Sequence, residues 1–386
     1  MKIIFASNYF NHHQKALSEA LYRLTNGNYY FIATEKMETE RLNMGWGMNE
    51  YPNYVLESYL SKEAQHYCQT LIDDADVVII GSAPNKLIKN RLKKGKLTFR
   101  YSERLYKKKC EWYTLPLRFI KYFFKYNIYK NYYLLTASAY TAADYAKTFS
   151  YLDKSYKWGY FPETKIYENM DKLIQNKIPN SLLWTARMID WKHPEQAVFV
   201  AKKLKQDGYN IQLNLIGNGI LEEEIKKLIE EEGITDCVCL LGAMSPDEVR
   251  KYMEQTEIFM FTSDRNEGWG AVLNEAMNSG CAVVASHAIG SVPFLLEDGE
   301  NGFIYKDGDL EDLYLKVKNL LDNPDKRREM GKKAYETLID EWNAENAAER
   351  FCMLAQSILD GDKKSELFEQ GICSKSKILK DSWYNG

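Results

Sequence analysis

Between residues 181 and 304, short apolar runs alternate with amphipathic segments of helical length. The runs are Ser181–Ala186, Ile211–Ile216, Cys237–Leu241, Ile258–Thr262, Ala282–Ala285 and Gly302–Ile304. Between them, Pro194–Gln206, Leu221–Glu232, Pro246–Gln255 and Ala271–Asn278 carry helical spacing. Ser245 is a good N-cap for the third helix, and Gly280 ends the fourth. Strands separated by helices of these lengths give a parallel sheet with helices on both faces. The expectation is an α/β chain whose residues 178–342 form one Rossmann-like domain.

The first half alternates less cleanly. Lys2–Ala6, Tyr29–Ile32, Val77–Ile80 and Leu134–Ala137 read as strands, His12–Leu24 and Ala139–Phe149 as helices. A chain of 386 residues exceeds what one core normally serves. Residues 1–177 are therefore expected to form a second Rossmann-like domain with a basic, aromatic insertion at 84–131. The boundary falls near 176–180, where Pro179 breaks the pattern. Residues 343–386 are expected to be a helix or tail returning to the first domain. No run of about 18 apolar residues predicts a membrane span. The N-terminal apolar stretch is too short for a signal peptide and reads as a buried strand. Seven scattered cysteines without metal spacing suggest free thiols in a reducing cytoplasm.

The net charge of −3 hides an asymmetry. From Lys86 to Lys130 there are 15 Lys/Arg and 2 Glu, against 36 basic and 52 acidic residues elsewhere. Within that stretch, Leu115–Lys130 interleaves Arg118, Lys121, Lys125 and Lys130 with Leu, Phe, Ile and Tyr. Such a helix suits an anionic bilayer surface, so 86–130 is a candidate membrane contact. An ordinary amphipathic helix has the same pattern, and single-stranded nucleic acid is a poorer fit.

Ligands of parallel α/β sheets bind beyond the carboxyl ends of the strands. In the second domain those ends carry Arg187 with Lys192, Gly217-Asn218-Gly219, and the stretch Glu267-Gly268-Trp269-Gly270 opening a helix with Glu275. A helix start after glycines offers backbone N–H groups to a diphosphate. Arg187 and Lys192 can neutralise charge on a departing diphosphate. Glu267 and Glu275 can accept hydrogen bonds from sugar hydroxyls.

The segment from Glu267 through Glu275 to Ala285 resembles the E-x7-E signature of retaining glycosyltransferases with the GT-B fold, the group 1 or family 4-like enzymes. Gly290–Pro293 and Asp298–Phe303 resemble the family's sequence downstream of that signature, and Trp184–Pro194 resembles its Arg/Lys diphosphate clamp. The resemblance covers about 181–342 well and the first half loosely. It implies two Rossmann-like domains facing across a cleft, whose closure would exclude water. Glu267, Arg187 and Lys192 would be catalytic, with Glu267 on the sugar hydroxyls. Glu275 would hold the ribose. Gly217, Asn218, Gly268, Trp269, Gly270, Ala271, Val272 and Leu273 would meet sugar and phosphates. Gly242, Ala243 and Met244 would lie against the base. Trp269 stands where Phe is commoner, which would reshape the donor pocket. A Gly-Gly loop after the first strand is replaced here by Ser7–Gln14, which turns that loop toward the acceptor.

Asn11, His12, His13, Glu103 and Arg104 are therefore candidates on the acceptor side, although two helix-terminal histidines are as readily structural. His193 and His287 read as structural. Asp74-Ala75-Asp76 and Asp307-Gly308-Asp309 mimic a metal motif, but the first precedes its strand and the second reads as a helix cap. No metal and no cofactor is expected beyond a nucleoside-diphosphate sugar, with UDP the expected nucleotide. The implied reaction is metal-independent, retaining transfer of a hexose to a glycan or lipid-linked acceptor. The setting would be bacterial cell-surface polysaccharide synthesis, at the inner face of the membrane. An NDP-sugar epimerase and a non-catalytic membrane-bound subunit are the alternatives.

Overall fold

The computed structural model describes residues 1–39, 47–48, 50–107, 112–361 and 367–384. The chain divides into two compact units, Met1–Glu163 with Trp342–Lys380, and Thr164–Glu341 with Asp381–Gly386.

The first unit is built on a seven-stranded parallel sheet ordered β3-β2-β1-β4-β5-β6-β7. The strands are β1 Ile3–Ser7, β2 Tyr29–Ala33, β3 Val55–Glu57, β4 Val77–Ile80, β5 Thr98–Ser102, β6 Tyr132–Thr136 and β7 Ser155–Lys157. β1 and β4 are buried along their whole length, which explains their unbroken apolar sequence. Its helices include α1 His12–Leu24, α2 Lys62–Asp74, α3 Lys89–Lys93, α4 Leu115–Tyr122 and α5 Thr141–Ala146. The C-terminal helix Ala344–Leu359 belongs to the same unit: Phe351 packs on Phe99 and Trp158. Beyond it, Cys373, Ser374 and Ser376 hydrogen-bond along β7.

Segment 84–131, expected as an insertion, contains a strand of this sheet. β5 pairs with β4 on one side and β6 on the other. Its sequence, Thr-Phe-Arg-Tyr-Ser, hides the strand because Arg100 interrupts the apolar pattern. Arg91 is part of the basic excess yet fully buried. Its guanidinium donates to the carbonyls of Ile72, Ala75, Asp76 and Leu97, serving the end of α2 where helix carbonyls lack partners.

The second unit holds a six-stranded parallel sheet ordered β10-β9-β8-β11-β12-β13. Its strands are β8 Ile178–Thr185, β9 Gln212–Ile216, β10 Val238–Leu240, β11 Thr256–Phe261, β12 Ala282–Ser286 and β13 Phe303–Tyr305. The helices are α6 Met170–Gln175, α7 Pro194–Gln206, α8 Glu222–Glu231, α9 Pro246–Gln255, α10 Val272–Asn278, α11 Val292–Leu295, α12 Leu310–Asp322 and α13 Pro324–Glu336. Residues 164–177 lie with this unit and not before it, because Met170 and Ile174 pack on Tyr335. Lys177 seals that start: its buried ammonium donates to the carbonyls of Met253 and Ser279. In both sheets the first strand is flanked by the second and the fourth, so each has a topological switch point. Among the described residues no helix is long and apolar enough to cross a membrane.

Candidate functional site

The switch point of the second sheet lies between β8 and β11, and the loops leaving both strands meet there. β8 runs into Ala186 and an exposed Arg187, then a short helical turn at Asp190–Lys192. β11 runs into Thr262 and the loop carrying Glu267. Lys192 and Glu267 form a hydrogen-bonded ion pair whose side chains are only 11% and 10% exposed. The Lys192 ammonium also sits 4.4 Å over the Trp191 ring. Backbone and side-chain bonds fasten the two loops: Asp264 N donates to Trp191 O at 3.1 Å, and Thr262 Oγ1 lies 2.7 Å from Lys192 O.

The glycines answer to packing as well as to any ligand. Gly217 has φ 134°, and a Cβ there would lie 1.9 Å from the Ala186 carbonyl oxygen. That loop therefore presses directly on the segment bearing Arg187. Met188 N donates to Asn218 O, and Gly217 N to Gly242 O, both at 2.8 Å. These bonds place Gly217, Asn218 and Gly242 at the strand ends where Arg187 leaves β8, and Ala243 and Met244 follow Gly242 in the chain. Gly270, with φ 84°, leaves no room for a Cβ beside the Phe261 ring at 2.4 Å. Gly268 is buried, while Ala271 and Val272 are partly exposed where α10 begins. Leu273 is core, and Glu275 is partly exposed on the first turn of α10. Trp269 turns its side chain into the core, fully buried, with Nε1 donating to Asn274 Oδ1 at 2.9 Å. Its substitution for Phe thus adds an internal hydrogen bond. Glycine spacing gave no signal for that partner.

His193 is the residue that sequence reading undervalued. Its Nδ1 lies 2.8 Å from Glu195 Oε1 and its Nε2 lies 3.6 Å from Asp264 Oδ2. Hydrogen bonding to Asp264, then to Glu195, raises its pKa to about 10. Burial opposes the charge of Asp264, but the His193 and Asn266 hydrogen bonds prevail and its pKa is lowered. The signal available in the sequence was only the pair of acids at positions 195 and 264. Asp309 caps α12 by accepting from Asp312 N at 3.0 Å.

The remaining candidates belong to the first unit. Asn11 is an N-cap: it accepts from His13 N at 2.9 Å, and Gln14 reciprocates to Asn11 N at 3.1 Å. The His12 and His13 ring centroids lie 3.9 Å apart at that helix start, tilted by 48°, with Tyr160 beyond His13. Glu103 accepts from Tyr160 OH at 2.7 Å and from Lys107 at 2.8 Å. Arg104 is buried against Asp144, 3.4 Å away, with Tyr140 under its guanidinium. Glu103 remains accessible in part, whereas Arg104 serves the interior.

Comparisons with known proteins agree with this architecture. HepE of Anabaena in complex with UDP superposes with a TM-score of 0.67 at 14% identity, over 92% of this chain and 100% of that one. TarM gives 0.69 at 12% identity, over 92% and 99%. Two parallel α/β domains with these neighbours define the GT-B fold. Residues 166–337, within the second of these domains, match the family model for glycosyl transferases group 1. The amylovoran biosynthesis glycosyltransferase AmsK of Erwinia amylovora is 32% identical over 140 residues, 35% of this chain and 34% of that protein. The poly(ribitol-phosphate) alpha-N-acetylglucosaminyltransferase of Staphylococcus aureus is 27% identical over 172 residues, 45% and 34%. The matching region thus spans about a third of the length of these relatives.

Proposed function

We propose that the protein is a retaining glycosyltransferase that moves a hexose from a UDP-sugar to a hydroxyl of a glycan or lipid-linked acceptor. The observation that carries this reading is the Lys192–Glu267 pair at the sheet's switch point, its lysine on the same post-β8 segment as Arg187. A nucleoside diphosphate placed there would draw Lys192 from Glu267 and free the carboxylate for sugar hydroxyls. Glu275 would take the ribose, and Gly242–Met244 the base. Gly217 and Asn218, with the backbone from Gly268 to Leu273, would border the diphosphate and sugar.

The chemistry follows from charge. The bond from the anomeric carbon to the diphosphate oxygen breaks first, its electrons leaving with the diphosphate. Arg187 and Lys192 offset the charge that builds there, so the step needs no metal. The acceptor oxygen attacks the same face, and its proton passes to the leaving diphosphate. Asn11, His12, His13 and Glu103 would border the acceptor. Two relatives named for amylovoran and for poly(ribitol-phosphate) support a bacterial surface polysaccharide as product.

The first domain would rest on the anionic inner face of the cytoplasmic membrane through 86–130, of which 108–111 lie outside the described residues. Leu117, Ile120 and Phe124 are exposed there beside Arg118, Lys121 and Lys125. Saturation-transfer NMR and hydrolysis with UDP-glucose, UDP-N-acetylglucosamine and GDP-mannose test the central reading. Binding of a UDP-sugar that vanishes in Glu267→Ala, with the fold retained, is the expected result. No binding of any of the three would overturn it.

A further inference from the structure

His193 follows Lys192 and precedes Pro194, the first residue of α7. Its backbone is left-handed, with φ 52° and ψ 55°. That conformation is disfavoured for any residue with a Cβ and favours glycine. A strained residue inside a candidate site is held there by its surroundings, and here the surroundings are two carboxylates. Glu195 faces Nδ1 from the first turn of α7, and Asp264 faces Nε2 from the loop after β11. To donate to both, the ring must carry two protons. Asp307 is a further acid near this cluster. Its pKa is raised by burial and by the charge of Asp264, while His193 and His287 oppose that rise. Asp307 N in turn donates to His287 Nδ1 at 2.9 Å.

The seam that His193 closes is the one that aligns the site. Asp264 stands three residues before Glu267, and Glu267 N donates to Asp264 O at 3.0 Å. Thr262 Oγ1 lies 3.0 Å from the His193 carbonyl. Any shift of Asp264 is therefore passed to Glu267 through one hydrogen bond and a short loop.

We propose that His193 is a positioning residue of the donor site: its imidazolium ties the Asp264–Asn266 loop to the start of α7 and holds Glu267 opposite Lys192. This inference rests on the transferase reading. The doubly protonated ring persists across the neutral range, since its pKa is raised to about 10.

His193→Gly is the deciding variant, because it accepts the left-handed backbone without strain and removes the cation. A histidine that only stabilised the fold would lose stability in it and leave kcat unchanged. The expected result is a retained fold with a thermal midpoint lowered at neutral pH by loss of the two ion pairs, affinity for UDP within about twofold, and kcat for UDP-sugar turnover about tenfold lower. His193→Lys, which keeps a cation, should recover most of that rate. Parent-like kcat in His193→Gly would overturn the proposal. Side-chain nitrogen NMR on the intact protein decides the clamp independently of activity. The His193 ring should stay doubly protonated to about pH 8 and become neutral by then in Asp264→Asn. A parent ring titrating near 6.5, indifferent to Asp264, would equally overturn it. If the parent binds none of the three sugar nucleotides, the transferase reading alone fails, and the NMR result still decides whether the clamp exists.

Discussion

Lys192 and Glu267 stand 75 residues apart in the chain and share a nearly dry ion pair at the ends of β8 and β11. Removing one partner leaves the other buried and unpaired, which costs about 3 kcal/mol for a buried pair. Lys192→Met is therefore expected to lower stability by about that amount. In the transferase reading, loss of charge at the leaving diphosphate should lower kcat about 100-fold. Urea melts and steady-state turnover of a UDP-sugar check the two effects separately, and the double variant with Glu267→Gln should be more stable than Lys192→Met alone.

Stability should carry an alkaline signature from His193. Its folded pKa, about 10, lies above the ordinary 6.5. The native state thus binds the proton more tightly than the unfolded chain. This contribution is fully present below 6.5 and is lost as pH rises through 10. Denaturant melts between those limits should show a falling stability that His193→Gln reduces. An unchanged slope in that variant would remove His193 as its source.

Gly217→Ala tests the pressure between two loops. The added Cβ would stand 1.9 Å from the Ala186 oxygen at a φ of 134°. Backbone must move, so a loss of more than about 1 kcal/mol is expected. Because the displaced segment bears Arg187, affinity for UDP should fall too. Calorimetry on the same sample reads both, and retention of both would mean the loop yields freely.

Glu103 and Arg104 are neighbours with different expected phenotypes. Arg104→Ala breaks the buried pair with Asp144 and should cost about 3 kcal/mol. Glu103→Gln, on a partly exposed side chain, should stay within about 0.5 kcal/mol of the parent. In the transferase reading, Glu103→Gln raises KM for the acceptor. Equal stability losses in the two variants would contradict this division.

Membrane contact should depend on both the apolar and the basic residues of 115–125. Leu117→Glu with Phe124→Glu puts charge where Leu117 and Phe124 are 76% and 64% exposed. Sedimentation with phosphatidylglycerol vesicles should lose the protein at low salt, and Lys121→Glu with Lys125→Glu should do the same. Parent protein that fails to sediment with such vesicles would exclude the contact.

Much of the second domain was legible in its sequence because each signal there is local. Ser245 caps α9 with Glu248 three residues on, and apolar runs too short for helices are separated by helical spacing. β5 was not legible, since Arg100 reads as a surface cation until the sheet brings Tyr145 and Asn85 to its guanidinium. Arg91 misled for a similar reason: four carbonyl partners come from segments that composition cannot connect to it.

The sequence by itself determined the strand–helix alternation, the helix caps and the residue types at the strand ends, because these depend on neighbours a few positions away. The tertiary structure alone decided which of those residues meet. Lys192 reaches Glu267, and His193 reaches Asp264, because β8 and β11 are adjacent in a parallel sheet although two other strands separate them in the chain. That adjacency is a property of sheet order, and it converts the spacing from Glu267 to Glu275 from a recurrent coincidence into a candidate donor site.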